Sequence, residues 1–222
     1  MKYLTTVLKD QILGLMTQIK DNRSLLVKSI PAILLILIFA SSLQGQGDYQ
    51  SFYNGSLKIN NTGMYILGTW ALANIAAGAY GWATATGEMK YFGQMNLFWN
   101  VINLSIAGFA LYGNYTTDVS MMSGQEMLAK HLKTENILLI NSALDVGYIG
   151  AGFLMRHLSS GSVKRGDLLK GYGNSVIMQG AFLLVFDLVM YGIMRDYRLD
   201  FMEGINLSVT TESIMVGLRI NL

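Results

Sequence analysis

The sequence predicts an all-α membrane protein: four transmembrane helices paired as two antiparallel hairpins, followed by a short strand-like C-terminal tail. Three observations carry this reading. Apolar residues make up 52% of the 222 and charged residues only 14%. The apolar residues gather in runs of about 20, the length that a hydrocarbon core requires. The polar connections between the runs carry unequal charge on the two sides. The net charge of +2 is too small to indicate nucleic-acid binding. With no cysteine in the chain, disulfides, thiolate metal sites and cysteine nucleophiles are excluded.

The chain opens on an ambiguous segment. Ile30 to Leu43 is too short for a comfortable span, follows Lys20, Arg23 and Lys28, and runs into a small polar stretch, the layout of a secretory signal peptide cut near Gly45 or Gln46. The charged region ahead of it is long, and Leu4, Val7, Leu8, Ile12, Leu15 and Ile19 share one helical face. Either Met16 is the true start, or a cytoplasmic amphipathic helix precedes an uncleaved anchor; the length of the apolar region favours a signal peptide. Residues 1–45 are thus the N-terminal region and signal peptide, 46–63 an extracytoplasmic segment, 64–194 the bundle and 195–222 the tail. Turn signals at Tyr53-Asn54-Gly55 and Asn60-Asn61-Thr62-Gly63 support the second of these.

The spans are Met64 to Thr84, Asn96 to Tyr115, Ile137 to Leu158 and Ser175 to Met194. In the first, Ala73, Ala77, Gly81 and Ala85 form a small-residue face that a second backbone can approach closely. With the signal peptide removed, the mature N and C termini lie outside and the 85–95 and 156–173 connections face the cytoplasm. The latter holds Arg156, Lys164, Arg165 and Lys170 against Asp167, while the outer loop from Thr116 to Asn136 balances its charges, as the positive-inside rule requires. Helical spans this hydrophobic suit an inner membrane. Gly87-Glu88-Met89-Lys90-Tyr91-Phe92-Gly93 and Gly166 to Gly173 both run Gly, acid, Lys, Tyr, Gly, and Tyr112-Gly113 matches Tyr191-Gly192. A parallel repeat produces this pattern, and so does the shared chemistry of interface turns.

Each span also carries polar residues at a common level. At 1.5 Å per residue, Asp145 and Asp187 sit roughly 10 to 12 Å from the outer ends of consecutive antiparallel spans, so they can face each other. Asn74 and Asn103 fall near the same level; Asn100 and Asn103 share a face, as do Asn141, Asp145 and Tyr148, and Asp187 with Tyr191; Gln179 lies deeper. Ionisable groups at such depth are costly and mark functional sites by default. Two adjacent carboxylates in low dielectric do not both ionise, so the expectation is a site binding or relaying a proton or a small polar ligand. The structural alternative is a clamp of protonated acids on Asn, Gln and Tyr partners. No cofactor motif and no metal-ligand spacing appears, and no nucleophile and base pair can be named for an enzyme. His131 and His157 read as interfacial or solvated, and Trp70, Trp82 and Trp99 as anchors and packing residues.

Beyond Tyr197, Leu199, Phe201, Ile205, Leu207 and Val209, then Ile214, Val216, Leu218, Ile220 and Leu222, alternate with other residues at period two, which predicts strands around a turn at Thr210 to Ser213.

At residues 139–152 (LINSALDVGYIGAG), 171–192 (GYGNSVIMQGAFLLVFDLVMYG) and 69–81 (TWALANIAAGAYG), the chain resembles an uncharacterised family of four-span bacterial membrane proteins, seen chiefly in Bacteroidetes, over about residues 60–195. The resemblance implies a four-span bacterial protein and no activity. Expected partners are the lipid bilayer and either a second copy or a membrane partner protein, with no nucleic acid. The function that competes with a buried site is that of an accessory subunit docking a partner through its small-residue faces and tail.

Overall fold

The computed structural model describes the backbone of residues 23–220 and the side chains of residues 48–205. It contains four helices, α1 (Arg23–Thr84), α2 (Gly87–Thr116), α3 (Gly124–Ser159) and α4 (Gly166–Ile220), with one 3-10 turn, Val119–Met121, between α2 and α3. The chain divides into two compact units, residues 1–49 and 50–222, and everything below concerns the second. The expected signal peptide, residues 1–45, lies outside the residues whose side chains are described.

Local chemistry sets the breaks between helices. Thr86 is extended and Gly87 has φ +58°, a value that favours glycine, so α1 stops and α2 starts within two residues. Ser123 caps α3 by accepting the Glu126 N–H at 3.2 Å, a Ser-x-x-Glu start signal. The carboxylate of Asp118 accepts from the Ser120 hydroxyl and N–H, which ties the 3-10 turn and holds Asp118 below the usual carboxylate range. Most of the expected outer loop, Thr116 to Asn136, is therefore the first three turns of α3.

Helix α4 packs along both α2 and α3. Two glycine pairs set close backbone approaches, and Gly171 of α4 lies as tightly against the Glu88 oxygen of α2. A Cβ placed on Gly93 would lie 2.7 Å from the Trp82 nitrogen and 2.8 Å from the Gly78 oxygen; one on Gly173 would lie 2.6 Å from the Gly152 oxygen. Gly93 and Gly173 each close one of the two Gly-acid-Lys-Tyr-Gly stretches, so the two hairpins cross at like positions. Between them, Lys170 pairs with Glu88 at 2.8 Å, Asn174 donates to Glu88 at 2.6 Å and Tyr172 to Gln94 at 2.8 Å.

Three expectations are corrected, and a further one, the number of spans, is supported for three of the four helices. The tail is not strand-like: α4 continues as helix to Ile220, and no strand occurs among the described residues. Proline, which ends helices, is absent from this stretch, and nothing at residues 195–205 caps α4, so the ladder begun in the bundle propagates at one bond per residue against the period-two pattern. Residues 48–63 are helical as well. Gly55 and Gly63 lie against the Tyr197 and Met190 side chains and Asn61 bonds Asn114 at 2.7 Å, so these turn-forming residues serve helix contacts instead. On α1, Ala73 and Ala77 are exposed; of the expected small-residue face Gly81 does approach α2, together with Asn74 and Gly78. Finally, three helices among the described residues are long and apolar enough to cross a membrane, Gly87–Thr116, Gly124–Ser159 and Gly166–Ile205. Asn74 and its neighbouring aromatic and small residues leave α1 less apolar.

Candidate functional site

The buried faces are polar and the exposed ones apolar. On α2 the buried residues are Gly93, Asn96, Asn100, Asn103 and Ala107, while Ile102, Ile106 and Phe109 are more than half exposed. A soluble helix has the reverse arrangement.

The asparagines join into one amide layer. Asn96 donates to both the backbone and side-chain oxygens of Asn74 at 3.1 Å, Asn100 to the Asn96 backbone oxygen at 2.8 Å, and Asn103 to Asn100 at 3.5 Å. Gln179 of α4 donates to Asn96 and Asn74, and accepts from the Trp70 indole at 3.0 Å. Trp70 stacks on Phe182 with ring centres 3.8 Å apart, which holds the indole N–H toward Gln179. Trp70 is thus an internal packing and donor residue, whereas Trp82 stays near the surface.

Asn103 leads from this layer into a cleft of about 280 Å³ between α2 and α3, floored by α4. Asp145 and Asp187, 3% and 5% exposed, meet there with their carboxyls within hydrogen-bonding reach of each other. A bond between them needs a proton on one carboxyl. Asp145 Oδ2 is fully buried, and no hydrogen-bond donor outside the carboxyl pair reaches it. Asn141 and Tyr148 also line the cleft, and Trp99 meets Tyr148 edge-on at 4.9 Å across its mouth. Of the nine site residues expected from the sequence, Asp145, Asp187, Asn141, Tyr148 and Asn103 share this cleft. Asn74, Asn100 and Gln179 form the amide layer behind it, and Tyr191 packs on the apolar core at Met190 and Met194.

A third polar cluster lies toward the start of α3. His131, expected to be solvated, is fully buried. Its Nε2 faces the Met194 carbonyl at 3.0 Å and Glu135 at 2.9 Å, both acceptors, so Nε2 carries the hydrogen; Nδ1 lies 2.7 Å from the Ser56 hydroxyl. Arg198 grips Glu135 with Nε at 2.7 Å and Nη2 at 3.1 Å. The sequence did contain a signal for this cluster: His131, Glu135, Leu138, Ser142 and Asp145 form one stripe on α3, and Asp187, Met190, Met194 and Arg198 a matching one on α4. Ser, His and Glu resemble a nucleophile relay in order, but Ser56 is itself buried in α1 and does not line the cleft, so the cluster joins helices. His157, by contrast, is exposed. Among the described residues, no group of three His, Asp or Glu side chains converges as a metal site.

Apolar helix exteriors around polar interhelical contacts, with three helices able to span, define a multi-pass helical membrane protein. The chain belongs to a family of unknown function, DUF6992, whose model matches residues 66–188 and so takes in both the amide layer and the carboxyl pair. No curated protein and no solved structure matches it.

Proposed function

We propose that this is a small bacterial inner-membrane protein in which Asp145 and Asp187 bind a small polar ligand, or exchange a proton with it, in the cleft between α2 and α3. In this reading residues 64–84 form a fourth span beside the three apolar helices, and the basic 156–173 connection lies in the cytoplasm. The mature termini then lie outside after removal of a signal peptide.

One observation carries the reading: a buried pair of adjacent carboxyls at the wall of an open cavity, with no donor outside the pair reaching Asp145 Oδ2. A clamp satisfies its acceptors, because an unpaired buried oxygen costs about 1–3 kcal/mol. Asn and Gln hold their N–H hydrogens, so the amide layer conducts no protons, and a proton reaching the pair travels through the cleft. The accessory-subunit alternative drew on small-residue helix faces, of which Ala73 and Ala77 are exposed, and on a strand-like tail that is helical as far as Ile220.

The test is the unfolding midpoint in detergent across pH for the wild type, Asp145→Asn, Asp187→Asn and the double variant. The wild type is expected to show a pH-dependent component that the double variant lacks. The substitutions should change stability by no more than about 1 kcal/mol, or raise it, since working sites are held at a cost. Marked destabilisation by both, with the pH response unchanged, would establish a clamp and overturn the proposal.

A further inference from the structure

The cleft opens sideways. Its walls on α2 and α3 end in Ile102, Ile106 and Leu144, which are 61%, 53% and 50% exposed on apolar surfaces that face lipid. A ligand therefore reaches the carboxyls from the acyl-chain region, between two helices whose shared packing partner is α4. Access of this kind selects molecules that dissolve in the bilayer.

The interior selects for charge. With one proton shared, the Asp145–Asp187 pair carries one negative charge, and the residues lining the cleft include no Lys, Arg or His to neutralise it. A buried charge requires a counter-charge. No donor outside the pair reaches Asp145 Oδ2 and the cleft lining supplies no cation, so the partner the carboxyls lack is a donor. Trp99, Tyr148 and Phe186 also line the cleft, and aromatic faces attract ammonium groups. At about 280 Å³ the space equals that of roughly nine waters, enough for a compact head group and too small for a folded peptide.

We infer that the cleft between α2 and α3 is a lateral binding site for a hydrophobic amine, whose ammonium sits on Asp145 and Asp187 while its apolar portion lies along Ile102, Ile106 and Leu144. One ammonium neutralises the singly protonated pair without proton release. This inference rests on the proposed role of the pair as a working site and adds the class of ligand and its route.

The experiment uses the full chain in a neutral maltoside detergent, with unfolding midpoints recorded against octylammonium chloride, octanol and sodium chloride. Octylammonium is expected to raise the midpoint of the wild type, and the shift should vanish in the Asp145→Asn/Asp187→Asn protein. Octanol has the same chain without the charge and should do nothing, as should sodium chloride. Leu144→Trp narrows the entrance at a half-exposed position; it should weaken the octylammonium response about tenfold. An octylammonium shift that survives in the double Asn protein, or an equal shift with octanol, would overturn the inference. A shift reproduced by sodium chloride would make the ligand an inorganic cation and overturn it as well. If octylammonium fails while the pH-dependent component depends on both aspartates, the amine is refuted and the working carboxyl pair stands. If that component is also independent of the aspartates, both fall.

Discussion

Glu135→Ala is expected to be the most damaging polar substitution in the bundle, lowering the unfolding free energy by about 3–5 kcal/mol. Glu135 is 3% exposed and is bonded by both Arg198 and His131, so its loss leaves a guanidinium and an imidazole N–H short of an acceptor. The cost comes from the stranded partners more than from the pair itself. Replacing Glu135 and Arg198 together with leucine should therefore recover most of the loss, as happens when a buried pair is exchanged for apolar groups. A double-mutant cycle read from denaturation in detergent measures the coupling. Additive losses, with the double Leu variant as unstable as the sum of its singles, would show that Glu135 acts through its own packing rather than through its partners.

The second large effect is steric. Gly173→Val should destabilise the chain by about 3 kcal/mol or more, because the new side chain meets the Gly152 carbonyl and the α3 backbone, which cannot rotate away as a side chain would. Gly147→Ala is the matched control on the same pair of helices. Nothing lies within 4 Å of a Cβ there, and alanine in a helix interior gains about 0.5–1 kcal/mol over glycine. The expected melts thus move in opposite directions for two glycine substitutions in one bundle. Equal behaviour would mean that α3 and α4 do not depend on the Gly152–Gly173 approach.

The two stripes that meet at the carboxyl pair could be followed in the sequence as far as Asp145 and Asp187, because depth along a helix is counted at a fixed rise per residue. Their extension to His131, Glu135 and Arg198 was obscured by neighbouring charges. Lys130 and Lys133 made that stretch read as a solvated loop, although they occupy other faces of the same helix. Residues 48–63 misled for a related reason: Gly and Asn favour turns in isolation, but here they stand where side chains of α4 and Asn114 of α2 come close. The period-two tail is a local preference, and it lost to a ladder already nucleated in the bundle.

Composition and the spacing of apolar runs were sufficient for a helical membrane protein, since burying a backbone in lipid depends on each segment's own length and polarity. Which polar groups meet was decided only by the tertiary arrangement. Hydrogen bonds between helices depend on crossing points and rotations, here set by Gly78–Gly93 and Gly152–Gly173, and these place Asn96 against Asn74, Asp145 against Asp187, and His131 beneath Ser56. A helix turned by one residue, about 100°, would direct each of those groups into lipid, which is why no single segment could specify the site.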